Sequence, residues 1–290
     1  MRGGSLLKIK WSNLWRGFAM GTSDLVPGVS GGTIALLLGI YDDFINSISG
    51  LFSKNFKKSL TFLIPIVIGM LLAMGLLSKV INYLLSEHTV PTMFFFVGLI
   101  AGIIPFLLKI SKFKQTFTIK HYVVLLIGIG LIVLFTLLNN GDKHAGETLT
   151  LSTGLAIKYY LCGICASSAM LLPGISGSFM LLVFGVYGTV MFAVSELISL
   201  NFKALPILII VGLGILTGFL LSSKLIQYCL THHPYITYAL IIGFVVGSLF
   251  AVFPGLPTSI LTWVISIITL IVGFIISYKL GEVTHKNETL

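Results

Sequence analysis

Charged side chains are scarce in this chain. Only 9% of its 290 residues are Asp, Glu, Lys or Arg, against 56% hydrophobic, whereas soluble domains carry about 25% charge. That shortage excludes an ordinary water-soluble domain and points to an integral membrane protein. Acid is scarcer than base: 9 Asp and Glu stand against 18 Lys and Arg, a formal net charge of +9. The excess does not read as nucleic-acid binding, because the basic residues lie in short segments between apolar runs, where they orient a membrane protein. Arginine is nearly missing, with only Arg2 and Arg16. Without clustered His and carboxylates either, the chain argues against an intramembrane enzyme such as a lipid phosphatase, whose chemistry wants a nucleophile or metal with several cationic partners. Cysteine is rare too. Cys162 and Cys165 have a metal or redox spacing, but only Cys229 lies elsewhere; with no second pair to complete a site, they read as small residues in a packed helix. No cofactor or metal is expected.

Long apolar runs are what the chain has in quantity. Six of them, residues 60–85, 93–108, 122–138, 205–230, 235–253 and 260–278, approach the length that crosses a ~30 Å hydrocarbon layer. The N-terminal segment carries Arg2, Lys8 and Lys10 but is broken by Gly17, Gly21 and Asp24. It lacks a small-residue cleavage site and reads as retained.

The chain also repeats itself. A shift of 146 residues lays Pro27, Gly28, Ser30 and Gly31 on Pro173, Gly174, Ser176 and Gly177. The match continues through Gly39 and Tyr41 on Gly185 and Tyr187, then Asn55, Phe56 and Lys57 on Asn201, Phe202 and Lys203. At a shift of 145 it pairs Gly69 with Gly214, Lys79 with Lys224, Tyr83 with Tyr228, Gly98 with Gly243 and Gly102 with Gly247. This is an internal duplication. Its halves differ where charge sits: Asp24 faces Met170, and Arg16 faces Cys162.

Basic residues suggest how the halves thread the membrane. If residues 13–50 enter and return to the cytoplasmic side, Lys54, Lys57, Lys58 and the loop KISKFKQTFTIK at 109–120 all lie inside, and only Lys79, Lys143, Lys158 and Lys203 of the 18 Lys and Arg fall towards the outside. That path obeys the positive-inside rule, and a full crossing by 13–50 would break it. Three full crossings per half is an odd number, so the halves are inverted. The expected fold is an all-α integral membrane protein of two inverted-topology repeats, each a re-entrant helix hairpin plus three transmembrane helices. Repeat 1 covers 1–138 with its re-entrant motif at 13–50, 139–152 is an extracellular linker, and repeat 2 covers 153–290 with its motif at 153–200. Both termini are expected in the cytoplasm.

The repeated segments DLVPGVSGGT and MLLPGISGSF carry the chemistry. Val26 precedes a proline, which expels it from helical geometry. Pro27 and Gly28 then turn the chain, Ser30 caps the next helix, and SGGTIALLLG ends at Gly39. Ten residues give ~15 Å, about half the hydrocarbon thickness, so the helix starts near mid-membrane. Broken backbone at that depth has to be buried in protein or line a wet cavity. Two half-helix N-termini would then meet, each offering amide donors and a positive dipole end to an anion. The glycines allow close approach and the hydroxyls donate hydrogen bonds. The other reading of Gly28 with Gly32, Gly98 with Gly102 and Gly243 with Gly247 is close helix packing. Packing is the better account for the pairs within continuous spans.

Asp24 is a carboxylate at membrane depth, which marks a functional candidate. It either pairs with Arg16, carries a coupling proton or Na+, or reaches water or caps a local turn. Arg16 either binds phosphate or anchors at the headgroups. Asp42, Asp43 and Glu196 read as solvated, and His232 and His233 as part of a cytoplasmic turn, with a proton relay as the alternative.

These motifs, with a length of about 290 residues, resemble the bacterial polyprenyl-phosphate translocases over essentially the whole chain. The resemblance implies return of undecaprenyl phosphate, a lipid carrier of cell-wall polymer synthesis, from the outer to the inner leaflet of the cytoplasmic membrane. It implicates Asp24, Pro27, Gly28, Ser30, Gly31, Gly32 and Thr33, and Pro173, Gly174, Ser176, Gly177 and Ser178. The second copy departs from the first at Ser178 and Phe179, where the first has Gly32 and Thr33. The residues alone leave open an ion-coupled carrier of a small soluble anion.

Overall fold

A computed structural model describes residues 9–26, 29–51, 53–138 and 151–288. Pro27, Gly28 and most of the 139–152 linker therefore lie outside the described residues, as do both chain ends. The described chain is helical and contains no strand: α1 Asn13–Asp24, α2 Gly31–Leu37, α3 Tyr41–Gly50, α4 Phe56–Glu87, α5 Thr89–Ile110, α6 Phe113–Thr116, α7 Ile119–Leu138, α8 Thr153–Leu171, α9 Gly177–Val183, α10 Tyr187–Ile198, α11 Leu205–His232, α12 Pro234–Val252 and α13 Ile260–Glu288. Among the described residues, 7 helices are long and apolar enough to cross a membrane: α4, α5, α7, α8, the stretch from Phe202 through α11, α12 and α13. Six correspond to the apolar runs. The seventh, α8, spans 19 residues inside the segment expected to form the second hairpin. The protein is a multi-pass membrane protein.

Local chemistry sets the breaks. Both short helices end where a glycine takes a left-handed φ, +65° at Gly39 and +65° at Gly185, a conformation that side-chain-bearing residues rarely adopt. The short helices have seven residues each, shorter than the ten expected, because Ser30 and Ser176 stand as caps outside them and the chain leaves the helix at Leu38 and Phe184, ahead of each glycine. After Gly185 the chain turns sharply: α9 and α10 lie 115° apart.

Glycines then determine which helices pair. A Cβ on Gly17 would sit 2.1 Å from Ile66 O, and one on Gly163 would sit 2.5 Å from Val211 O, so α1 packs on α4 as α8 packs on α11. A Cβ on Gly98 would meet Leu270 O at 2.1 Å and one on Gly243 would meet Leu125 O at 2.3 Å. A Cβ on Gly102 would touch Phe274 O and Ser277, and one on Gly247 would touch Ile129 O and Ile132. These partners are themselves repeat-matched, so α5 of the first half packs on α13 of the second, and α12 of the second packs on α7 of the first. The exchange is reciprocal, as a two-fold relation requires.

Side-chain contacts give the directions. The Lys10 N–H donates to Thr61 O at 3.4 Å, Asn13 Nδ2 donates to Phe62 O at 3.3 Å, and Gly50 packs against Ser59. Both ends of the α1–α3 segment therefore lie beside the first turns of α4. Ser49 Oγ donates to Gln227 Oε1 at 2.8 Å, which puts the last turns of α11 beside the start of α4. Phe94, near the start of α5, meets Phe253, just past the end of α12, with ring centroids 5.9 Å apart. The end of α11 thus lies beside the start of α4, and the end of α12 beside the start of α5.

The glycine seams give a stability test. Gly98→Ala should lower the thermal unfolding midpoint of detergent-solubilised protein by an amount corresponding to about 1–3 kcal/mol, as overpacking does. Gly130→Ala, where an added Cβ would find nothing within 4 Å, should leave it unchanged. Equal midpoints for the two variants would show that the α5–α13 seam does not need its glycine.

Candidate functional site

The two repeated loops touch each other. The Gly174 N–H donates to Thr33 Oγ1 at 2.8 Å across 141 residues of sequence, and Tyr41 Oη donates to Leu171 O at 2.9 Å. A Cβ on Gly32 would lie 3.2 Å from Met170 O, so the first turn of α2 rests directly on the end of α8. Ser30, Gly31, Gly32, Thr33, Pro173, Gly174, Ser176 and Gly177 are all buried, while Ser178 is half-buried. Gly174 is required twice over: its φ is +89°, and a Cβ there would come within 2.7 Å of the Phe244 backbone.

The two tips are finished differently. At the first, Ser30 accepts a hydrogen bond from the Gly32 N–H at 3.1 Å, acting as the expected cap. The Asp24 carboxylate accepts from the Gly31 N–H at 2.7 Å. An added Cβ on Gly31 would lie 2.9 Å from Asp24 Oδ2, so only glycine lets the carboxylate approach. At the second tip no side chain caps α9. Ser176 Oγ instead hydrogen-bonds Ser178 Oγ at 2.8 Å. Met170 stands where the first copy has Asp24, and its Cγ lies 2.5 Å from where a Gly177 Cβ would be. A thioether therefore covers the amide end that a carboxylate covers in the other half.

Arg16 and Asp24 do not form a hydrogen-bonded pair. Arg16 Nη1 donates to Asn13 Oδ1 at 2.9 Å, its guanidinium lies 5.8 Å from the Trp15 ring centroid, and its Nε is buried without a hydrogen-bond partner. Arg16 thus belongs to the base of α1 rather than to the loop crossing. The remaining expectations fall on Pro27 and Gly28, outside the described residues. Tyr41 and Met170 are site residues that sequence motifs do not mark. The alignment held both, Tyr41 against Tyr187 and Met170 against Asp24, but a tether to a carbonyl and an apolar cover have no sequence motif.

Two apolar cavities flank the crossing. One of about 350 Å³ begins at Asp24, Gly31, Gly32 and Met170 and runs between α3, the first half of α4 and the middle of α11, lined by Ile48, Leu63, Met70 and Phe219. The other, about 680 Å³, lies on the opposite side of α1 and α2, against α4, α5 and α13, and is lined by Ser23, Ile34, Ile81, His88, Phe95 and Thr269. Polar atoms thus gather at the loop tips while the adjoining walls are hydrocarbon. Cys162, Cys165 and Cys229 are free thiols. Among the described residues no group of three or more His, Cys, Asp or Glu side chains could hold a metal ion.

The chain is thus a duplicated polytopic membrane protein whose two polar loops meet in its interior, and sequence comparison gives its family. Residues 20–272 match the family described as undecaprenyl phosphate translocase-like. The chain is 69% identical over 281 residues to the polyprenyl-phosphate transporter of Staphylococcus aureus, covering 97% of this chain and 99% of that one. It is 32% identical over 266 residues to the polyprenyl-phosphate transporter of Vibrio cholerae, covering 87% of this chain and 80% of that one. The protein belongs to the undecaprenyl phosphate translocase-like family. No solved structure matches it.

The loop–loop hydrogen bond can be tested alone. Thr33→Val keeps the shape but leaves the buried Gly174 N–H without an acceptor, at a cost of about 1–3 kcal/mol, and should lower the thermal midpoint accordingly. Thr33→Ser should restore most of it. A valine variant that melts with the wild type would mean the loops hold together without this bond.

Proposed function

We propose that this protein carries undecaprenyl phosphate from the outer to the inner leaflet of a bacterial cytoplasmic membrane, holding the lipid phosphate at the crossing of the two loops. The observation that carries this reading is the Gly174 to Thr33 hydrogen bond, which joins both amide-rich tips at one interior point. Both named relatives are polyprenyl-phosphate transporters, and polyprenyl phosphate is the substrate class they imply. Gly28, Ser30, Gly31, Gly32, Thr33, Gly174, Ser176, Gly177 and Ser178 would hold the phosphate, with Pro27 and Pro173 breaking the helices. The isoprenoid chain would lie along the apolar cavity that begins at Gly31 and Gly32. Such walls suit a lipid tail and give a small hydrated anion nothing to bind.

In this reading residues 13–50 and 153–200 are re-entrant, the repeats are inverted, and the two halves rock to expose the crossing to each leaflet in turn. Support comes from the shared level of Lys10, Asn13 and Gly50 beside the start of α4, and from the opposed directions of α4 and α11. Asp24 would be the coupling residue. Its carboxylate holds the Gly31 amide that a phosphate oxygen would need, and two anions at one donor repel. A proton or Na+ that neutralises Asp24 would free this amide for the lipid.

Reconstitution tests the transport reading. Purified protein in liposomes should speed the loss of outer-leaflet polyprenyl phosphate, and Ser30→Ala combined with Ser176→Ala should abolish the gain while the variant still folds, as judged by its melting curve. Equal rates with and without protein would overturn the lipid assignment, and uptake of labelled orthophosphate by lipid-substrate-free vesicles would favour a soluble-anion carrier. Topology has its own test: in a cysteine-free background, single cysteines beside Lys57 and Lys203 should be labelled from opposite faces. Labelling from one face would remove the inverted arrangement.

A further inference from the structure

The corner joining α5 to α7 is built in a way that membrane orientation alone does not require. It carries Lys109, Lys112, Lys114 and Lys120 with no carboxylate between residues 109 and 120. The repeat-matched corner, FPGLPTS at residues 253–259, has no lysine. Topology needs only that basic residues be present on one side. Here they surround a hollow of about 530 Å³, lined by Leu108, Lys109, Lys112, Phe113, Lys114 and Gln115.

The corner is also held in shape. Lys112 adopts a left-handed φ of 51°, uncommon for a residue with a side chain, and this turns α6 back across the end of α5. Thr116 Oγ1 donates to Ser111 O at 2.9 Å, tying α6 to the chain before it. Phe113 and Phe117 pack at 4.8 Å between ring centroids, Tyr122 meets both edge-on, and His121 stacks on Phe117. An aromatic cluster beside lysines is the pattern of a segment seated at a membrane interface. Lys109, Lys112 and Lys114 are all exposed, and none of the three ammonium groups has an ion-pair or hydrogen-bond partner among the described residues.

We propose that this corner binds the anionic headgroup of a membrane phospholipid, with Lys109, Lys112 and Lys114 around its phosphate and Phe113 against its glycerol and acyl region. The site is separate from the loop crossing and stands whether or not the transport reading holds. Three juxtamembrane lysines around one headgroup give an electrostatic attraction far above that for a zwitterionic lipid.

Native mass spectrometry of the full-length protein in detergent tests this by titration with phosphatidylglycerol, phosphatidylcholine and inorganic phosphate. Phosphatidylglycerol should be retained and phosphatidylcholine should not. Lys109→Gln, Lys112→Gln and Lys114→Gln together should weaken phosphatidylglycerol retention about a hundredfold. The control removes the same charge from the exposed start of α4 and from Lys54 two residues ahead of it, with Lys54→Gln, Lys57→Gln and Lys58→Gln, and should change retention less than about twofold. Lys112→Gln alone leaves the other basic residues to orient the chain and should weaken retention several-fold. Equal losses in the two triple variants would reduce the corner to diffuse charge and overturn the proposal. Inorganic phosphate that displaces the lipid at equal concentration would overturn it as well, because the ligand would then be free phosphate.

Discussion

Backbone that breaks within an apolar layer must find its hydrogen bonds inside the protein, because lipid offers none. In this structure two such breaks satisfy part of each other's need. The Gly174 N–H of the second loop donates to Thr33 at the start of α2, and the Tyr41 hydroxyl at the start of α3 donates to the Leu171 carbonyl. Neither loop could be buried in hydrocarbon by itself. Their mutual contact, with α8 resting on Gly32, is what lets polar backbone persist at the centre of a chain that is 56% hydrophobic.

The helix seams follow from the same economy of space. Without a hydrophobic force between helices in lipid, close packing supplies the attraction, and small residues permit it. Gly17 with Gly163, Gly98 with Gly243 and Gly102 with Gly247 place backbone against backbone at equivalent points of the two halves. Because α5 packs on α13 and α12 on α7, each half supplies a helix to the other's seam. The halves therefore cannot separate without opening two glycine contacts, while the loop crossing lies between them.

Duplication did not leave the site symmetric. Asp24 and Met170 occupy matching places and cover the ends of α2 and α9 with opposite chemistry, one hydrogen-bonded to Gly31 and the other packed on Gly177. Ser30 caps its helix while Ser176 turns to Ser178. The pairing of the hydroxyls goes with the exchange of Gly32 for Ser178, which gives Ser176 a hydroxyl partner that Ser30 lacks.

Periodicity, punctuation and self-similarity determined a good deal by themselves. Apolar runs of near-membrane length gave six of the seven long helices, Pro27 and Pro173 with their glycines gave the two breaks, and Ser30 was legible as a cap because its hydroxyl reaches an amide two residues away. These are local effects of chain geometry. The length of α8 was not legible, since it is the least apolar of the seven candidate spans. Tertiary structure alone decided that Arg16 turns to Asn13 while Asp24 takes the Gly31 amide, that Thr33 and Gly174 meet across 141 residues, and that Tyr41 and Met170 belong to the crossing. Such pairings depend on how separate helices lie against one another, and sequence spacing says nothing about distance between residues that only packing brings together.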